Sequence, residues 1–303
     1  MFKIKIKDIE FNNPIIASSG TFGYGYEVAD FVDLEKLGCV ITKSITLESR
    51  NGNPSPRIHE SKSGMINSIG LANVGVDKFC VNEIPKLNNI NTKFIISIAG
   101  KKYEDYISVI KKIEAIESNH VGYEINVSCP NTSKGGMEFG VDADMTHKLT
   151  SDMRSETDKL LIVKLSPNVT NIGEIALAAE SAGADAISAV NTFVGLSIDY
   201  ITGKFILNNK FGGVSGPAIK PMALAKVYQI FKVVKIPIIG MGGISSFKDV
   251  IEFIRAGATM VQVGTLNYRD PTILSTFNSQ FPGFLKSNNI DDIKDLVGRH
   301  YEN

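Results

Sequence analysis

The sequence predicts a (β/α)₈ barrel, because eight short apolar runs alternate with segments of helical spacing. Strand followed by helix, repeated along a chain, is typical of a parallel sheet. The chain has 303 residues, a length that fits one such barrel with insertions. The turn after the first run reads Gly-Thr-Phe-Gly-Tyr-Gly and lacks the Gly-x-Gly-x-x-Gly spacing of dinucleotide-binding sheets. A closed barrel is therefore favoured over an open doubly wound sheet.

The eight candidate strands are short and almost wholly apolar, as buried parallel strands usually are. In chain order they span residues 15–17, 39–42, 94–98, 123–127, 161–165, 186–190, 236–240 and 260–263. Helical patterns lie between them. Apolar residues recur at i, i+3, i+4 and i+7 most clearly in residues 172–179 and 247–254.

Two connections are longer than a simple strand-to-helix loop requires. Residues 43–92 follow the second strand, and residues 191–221 follow the sixth. In a barrel, all loops after the carboxyl ends of strands gather on the face that carries the binding site. We expect both insertions to build a substrate pocket there. No linker rich in Pro, Gly and Ser divides the chain, so residues 1–303 are predicted to form a single domain.

Composition and charge narrow the class of partner. Lys plus Arg and Asp plus Glu number 32 each, and no long basic run points to nucleic acid or an anionic membrane. A small-molecule partner is favoured. Three scattered cysteines indicate a reducing cytoplasm rather than a disulfide framework. The N-terminus alternates Phe2, Ile4 and Ile6 with lysines, which predicts a half-exposed strand instead of a signal peptide, and no apolar run approaches the roughly 20 residues of a membrane span.

Glycines follow the last two predicted strands. Strand seven leads into Gly242-Gly243, and strand eight leads into Gly264-Thr265. In barrels these two loops commonly bind phosphate, because glycines let backbone N–H groups approach an anion. The pattern predicts a phosphorylated cofactor, although glycines can also serve only as turn residues.

Two lysines stand at or near strand ends where a barrel interior should be apolar. Lys43 follows the second strand, and Lys164 lies within Leu-Ile-Val-Lys-Leu. A buried ammonium needs an anion. That anion could be a structural carboxylate or negative charge on a bound ring; the two local strands supply neither Asp nor Glu.

Carboxamides and one thiol also follow predicted strands. Asn126-Val-Ser-Cys129-Pro-Asn131 places Cys129 where Pro130 ends the fourth strand, so the thiol could exchange protons with a substrate. Asn67 and Asn191 fall on the same face. Asn offers both a donor and an acceptor, which suits a planar imide or urea-like ligand. Taken singly, each Asn could equally be a turn residue, and the Cys a small buried hydrophobe.

These motifs, in this order, resemble the soluble dihydroorotate dehydrogenases over almost the whole chain. The matching segments are Asn67-Ser-Ile-Gly70-Leu71, Asn126-x-Ser-Cys129-Pro-Asn131, Lys164-Leu-Ser-Pro-Asn168, Asn191-Thr192, Gly242-Gly243 and Gly264-Thr265. The run Gly-Gly-Met-Glu-Phe-Gly, residues 135–140, is similar to the NAD-linked branch, whose catalytic subunit works with a subunit that carries FAD and an iron–sulfur cluster. The resemblance also implies a homodimer core, with the second subunit completing a heterotetramer.

The resemblance implies oxidation of dihydroorotate to orotate in pyrimidine biosynthesis, with Cys129 taking the C5 proton and FMN the C6 hydride. The residues implied for FMN are Ser19, Lys43, Ser44, Asn126, Lys164, Val190, Gly216, Gly242, Gly243, Gly264 and Thr265. Those implied for the substrate are Lys43, Asn67, Ser68, Ile69, Gly70, Leu71, Asn126, Asn131, Asn191 and Thr192. The glycines after Cys129 would let that loop act as a lid.

One residue departs from the NAD-linked pattern: Ser97 stands where that branch leads us to expect Asn, and a serine resembles the fumarate-using branch. Three cysteines cannot hold an iron–sulfur cluster, so a cluster would belong to another chain, and the four histidines have no metal-ligand spacing. Three alternatives stay open: a fumarate-using dihydroorotate dehydrogenase, a dihydropyrimidine dehydrogenase-like enzyme, and a noncatalytic flavin-binding scaffold.

Overall fold

A computed structural model describes residues 2–128, 130–131 and 137–300 of the chain. Eight parallel strands close into a barrel, which confirms the predicted fold class. In barrel order they are β3 (Ile15–Ala17), β4 (Cys39–Ile41), β7 (Phe94–Ile98), β8 (Gly122–Asn126), β11 (Leu160–Lys164), β12 (Ala186–Ala189), β15 (Ile238–Met241) and β16 (Met260–Val263). The sheet closes because β16 pairs with β3 and β8 pairs with β11.

The predicted strand bounds are correct to within one or two residues. The largest difference is in the seventh strand, where residues 236–240 were predicted and the strand begins at Ile238. Pro237 explains the shift, because proline has no N–H to donate to the ladder. The eighth strand, 260–263, agrees at both ends.

Helices surround the barrel and pack their apolar faces against it. The longer ones are α3 (Tyr103–Glu114), α4 (Ala143–Ser155), α5 (Ile172–Ser181), α6 (Lys220–Phe231), α7 (Phe247–Arg255) and α8 (Ile273–Ser287). Both helices predicted from spacing are confirmed: α5 buries Ile172, Ile175, Ala176 and Ala179, and α7 buries Val250, Ile251 and Ile254. Ser246 and Asp249 form a capping box at the start of α7, which satisfies backbone donors at that end.

The two insertions form one structure. The first contains β5 (Ile58–Ser61), β6 (Gly64–Asn67) and a continuous helical stretch made of α1 (Val76–Lys78), a π-helical segment (Phe79–Glu83) and α2 (Ile84–Asn88). The second contains β13 (Phe193–Leu196) and β14 (Phe211–Ser215). These strands make a single four-stranded antiparallel sheet in the order β13-β14-β6-β5. We call it the insertion sheet. It stands above the carboxyl ends of the barrel strands, on the face where the sequence predicted the pocket.

Two small hairpins complete the described part of the chain. β1 (Ile4–Ile6) pairs with β2 (Ile9–Phe11), and Ile4 and Ile6 are buried while Lys5 is exposed, which confirms the predicted half-exposed strand. Lys7 joins this hairpin to the amino-terminal side of the barrel through the Asp158 carbonyl and Asp185. β9 (Pro130–Asn131) pairs with β10 (Met137–Glu138) after the fourth barrel strand. No helix within residues 2–128 and 137–300 is long and apolar enough to cross a membrane.

Buried side chains from all eight barrel strands and the surrounding helices belong to one hydrophobic cluster. The single domain predicted over residues 1–303 stays a prediction, and the described residues share this one core.

Candidate active site

A cavity of about 1220 Å³ opens between the carboxyl ends of the barrel strands and the insertion sheet. Ordinary small-molecule sites hold roughly 300–1,000 Å³, so this cavity has room for two ligands side by side. Its walls come from segments that are far apart in the sequence. Parallel closure explains this, because it brings the end of every strand to one rim.

The cavity collects nearly all the residues singled out in the sequence. Those predicted for the cofactor line it in full: Ser19, Lys43, Ser44, Asn126, Lys164, Val190, Gly216, Gly242, Gly243, Gly264 and Thr265. Those predicted for the substrate that also line it are Lys43, Asn67, Ser68, Ile69, Gly70, Leu71, Asn126, Asn191 and Thr192. Their ligands stay predictions, but their spatial grouping is a property of the fold.

Two predicted residues fall at the edge of what the structure describes. Cys129 lies outside the described residues, as do Gly135 and Gly136 of the expected lid. Asn131 is placed by its backbone pairing with Met137 in the β9–β10 hairpin. Ser128, the residue immediately before Cys129, lines the cavity.

The glycines after strand seven, Gly242 and Gly243, form a cradle into which no side chain fits. Gly242 and Gly243 have φ of 123° and 79°, a region that other residues rarely adopt. A Cβ on Gly243 would lie 2.7 Å from the Lys220 nitrogen and 2.8 Å from the Gly216 oxygen. A one-turn 3₁₀ helix begins beyond the eighth strand at Thr265. Bare backbone at this rim is suited to close approach by a phosphate.

Lys164 reaches the cavity floor from β11 and is almost fully buried. Its Nζ lies 3.4 Å from Oε1 of Glu124, a completely buried residue on the neighbouring strand β8. The structural-carboxylate explanation is therefore correct for Lys164. Inspecting only the local strand missed the partner, because parallel pairing places it 40 positions away.

Lys43 behaves differently. It is half-buried at the cavity wall, and no carboxylate in the described part of the chain lies within 4 Å of its Nζ. Burial lowers the pKa of Lys43, and the positive charge of Arg57 lowers it further, while Glu27 opposes these effects. An ammonium without an anion in this setting is favourable for binding a negatively charged ligand.

Carboxamides from the ends of two barrel strands and one insertion strand meet over the same space. Asn191 Nδ2 donates to Asn126 Oδ1 at 3.3 Å, and Asn67 Nδ2 donates to the Gly213 carbonyl at 3.3 Å. The last contact ties the two insertions together. Asn126 and Asn191 hold each other in place and the Gly213 carbonyl holds Asn67, so the three amides can present their remaining donors and acceptors to a ligand in a defined orientation.

Ser97 acts indirectly. It is fully buried, and its hydroxyl lies 2.8 Å from that of Ser44, which in turn lies 3.5 Å from Ser19 Oγ. Ser44 and Ser19 line the cavity and Ser97 does not. The serine at position 97, where Asn was expected, therefore affects the cavity through its contact with Ser44.

The sequence reading missed several polar residues of this region. Gln262 on β16 lines the cavity, donates to Glu124 Oε2 at 2.6 Å and accepts from Ser18 Oγ at 3.2 Å. Arg50 and Arg269 add positive charge to the lining. A signal for Glu124 and Gln262 was present, since each interrupts an apolar strand as Lys164 does. Among the described residues, no group of three or more His, Cys, Asp or Glu is placed to hold a metal ion.

Comparisons with known proteins agree with the geometry. A family model described as dihydroorotate dehydrogenase matches residues 1–285. A protein of Geotalea uraniireducens is 46% identical over 295 residues, covering 97% of this chain and 96% of the relative. Proteins of Caldicellulosiruptor saccharolyticus and Phocaeicola vulgatus are each 44% identical over 296 residues, covering 98% and 97% of this chain and the same shares of the relatives. All three are named dihydroorotate dehydrogenase B (NAD(+)), catalytic subunit.

The glycine cradle makes a prediction about the phosphorylated flavin that the resemblance implies. Gly243→Ala adds a methyl group that must displace backbone, so we expect the flavin that copurifies to fall about tenfold. Gly203→Ala is the matched control, since Gly203 has a similar φ of 69° with nothing within 4 Å of its Cβ position. Flavin absorbance per mole of protein measures both. Equal flavin content in the two variants would contradict the cradle.

Proposed function

The chain belongs to the dihydroorotate dehydrogenase family, and from that premise we propose that it is an FMN-dependent catalytic subunit that oxidises dihydroorotate to orotate in pyrimidine biosynthesis. The observation that carries the proposal is the shared cavity. A backbone cradle for phosphate, a buried ammonium, an unpaired cation and three carboxamides all face one space.

Several features of the cavity fit FMN. The Gly242–Gly243 and Gly264–Thr265 segments would hold its phosphate. Lys164 would lie against the ring and favour negative charge there. The hydroxyls of Ser68 and Ser128 are buried without a hydrogen-bond partner among the described residues, which leaves two donors for bound ligands. When bound, FMN would supply the chemistry of hydride acceptance.

The remaining space suits dihydroorotate. Its ring carries an imide, which matches the carboxamides of Asn67, Asn126 and Asn191. It also carries a carboxylate, which would form an ion pair with the Lys43 ammonium. This carboxylate distinguishes dihydroorotate from dihydrouracil. Because Lys43 has no carboxylate partner among the described residues, it favours dihydroorotate over the substrates of a dihydropyrimidine dehydrogenase-like enzyme.

Cys129 would take the C5 proton as its thiolate. An ordinary cysteine thiol has a pKa of about 8.5, so the rate of proton removal should rise with pH toward that value. The segment that carries Cys129 is supported on one side by Asn126, whose Oδ1 accepts a hydrogen bond from the Ser128 N–H at 3.3 Å. Asn126 would thus bind the ligand and also hold the backbone of Ser128, the residue before Cys129.

Electrons would leave through a partner subunit. The relatives are named NAD(+) catalytic subunits, which implies a second subunit, and we assign the FAD and the iron–sulfur cluster of the NAD-linked branch to it. The free thiols of Cys39 and Cys80 support a reducing compartment, the cytoplasm.

An exposed apolar strip on the insertion sheet supports a homodimer core within a heterotetramer. Val194, Leu196 and Ile198 alternate along one face, and Leu196 and Ile198 are paired across the ribbon with Phe211 and Phe205. All five are exposed. Contiguous apolar surface of this kind usually marks an interaction site.

Anaerobic addition of dihydroorotate tests the reaction. The flavin band of the wild-type protein should bleach, because hydride transfer reduces the ring, whereas a noncatalytic scaffold would keep its colour. Cys129→Ser should retain bound flavin but bleach at neutral pH at least about 100-fold more slowly, since a hydroxyl is a much weaker base. An unchanged rate in this variant would remove Cys129 from the mechanism.

The electron acceptor is tested by comparing NAD with fumarate. We expect NAD-dependent turnover only when the partner subunit is present, and no fumarate turnover by the isolated chain. Both measurements follow orotate formation by absorbance. Rapid fumarate reduction by this chain alone would overturn the NAD-linked assignment.

Introducing one positive charge into the exposed apolar strip tests whether the strip forms the dimer contact. Leu196→Lys should shift the protein toward the monomer in sedimentation, because a buried unpaired ammonium would oppose association. Leu177→Lys on α5 is the control, since the two leucines are 44% and 43% exposed. If neither variant changes the mass of a dimeric wild type, the strip is not the dimer contact.

A further inference from the structure

Glu124 is a buried carboxylate that the proposed reaction does not use. It lies on β8 inside the barrel, has no exposed surface and does not line the cavity. Isolated carboxylates are very rarely buried in this way, because losing water is costly for the charge. Its neighbours show what offsets that cost.

Three donors from three other strands surround Glu124. Gln262 Nε2 donates to Oε2 at 2.6 Å, Ser188 Oγ donates to Oε2 at 3.0 Å, and Lys164 Nζ lies 3.4 Å from Oε1. An ionised carboxylate only accepts hydrogen bonds, so a shell made entirely of donors matches the ionised form. In the described part of the chain, Lys164 is the one cation within 4 Å of it.

Lys164 is therefore the link between Glu124 and the cavity. Its ammonium faces the carboxylate behind it and the ligand space before it. The distance of 3.4 Å exceeds the roughly 2.7–2.9 Å of a strong charge-assisted hydrogen bond, so part of the attraction of Lys164 remains for a ligand. Any negative charge that develops in the cavity must compete with Glu124 for this ammonium.

We propose that Glu124 is a positioning residue that holds Lys164 and partly neutralises it, and in this way lowers the reduction potential of the bound flavin. The inference rests on the proposed function, in which dihydroorotate loses a proton to Cys129 and a hydride to FMN. Lys164 would stabilise the negative charge that this hydride adds to bound FMN. A carboxylate behind that lysine weakens the stabilisation, because charges interact strongly where water is excluded.

A lowered potential fits the NAD-linked chemistry. NAD accepts electrons only from strongly reducing donors, so a reduced flavin held too firmly by an unopposed lysine would not pass its electrons on. Glu124 sets the balance between accepting a hydride from the substrate and releasing electrons to the partner subunit.

The test is Glu124→Gln, which keeps the size of the side chain and removes its charge. We expect the ratio of reduced to oxidised flavin at a fixed applied potential to rise about tenfold, a shift of about 30 mV in midpoint potential. Spectroscopic titration against reference dyes measures it. An unchanged or lowered potential in a flavin-loaded variant would overturn the proposal.

Ser188→Ala is the matched second variant, since it removes a hydrogen bond from the same carboxylate without changing any charge. With less competition from Ser188, Glu124 would attract Lys164 more, so the ratio should fall about threefold. A purely structural role would shift both variants in the same direction. The fall in the ratio for Ser188→Ala is measured without Glu124→Gln, so an unchanged or raised ratio in that variant overturns the proposal even if Glu124→Gln does not fold.

The two proposals fail in different ways. A wild-type protein that binds no flavin, or whose flavin does not bleach with dihydroorotate, would remove the proposed function. A wild type that bleaches, together with variants whose potentials do not separate, would remove only the role of Glu124.

Discussion

The site depends on the closure of eight parallel strands. Because β16 pairs with β3, the last barrel strand lies beside the first, and residues from opposite ends of the chain come together. Ser18 Oγ contacts Gln262 Oε1 although 244 positions separate the two residues. Every strand opens at the same rim, so a strand-end residue needs only the correct register to face the cavity. Closure of the barrel therefore makes neighbours of functional residues that lie far apart in the sequence.

The insertion sheet adds a wall that neither insertion could form alone. The β5–β6 hairpin would leave an open edge, and an isolated two-stranded hairpin is marginally stable in water. Pairing of β6 with β14 covers that edge and joins the loop after strand two to the loop after strand six. Asn67 contributes to both parts, since it ends β6 and donates to the Gly213 carbonyl. A residue expected to bind a ligand thus also holds the wall together.

Much of this arrangement could be predicted from the sequence, because apolar runs and helical spacing are local signals. They located all eight strands and the two insertions, whereas most of the residues around the cavity were implied by the resemblance to the dihydroorotate dehydrogenases. The partner of Lys164 could not be found in this way, since Glu124 reaches it through strand pairing and no local pattern records register. The role of Ser97 was hidden for a related reason: it acts through Ser44, on the adjacent strand end. Polar residues that interrupt apolar barrel strands were the usable signal, and Glu124, Lys164 and Gln262 all show it.

The polar interior has an energetic consequence. Replacing a buried ion pair by well-packed apolar residues is often neutral or stabilising, so the Glu124–Lys164 pair is not explained by stability. Removing one member alone would leave an uncompensated charge, which is strongly destabilising. The carboxylate and the ammonium therefore depend on each other, and hydrogen bonds to the carboxylate bring in Ser188 and Gln262 from two further strands. The Lys164 ammonium also faces the cavity. The ion pair in the barrel interior therefore also determines how much positive charge a ligand at the rim meets.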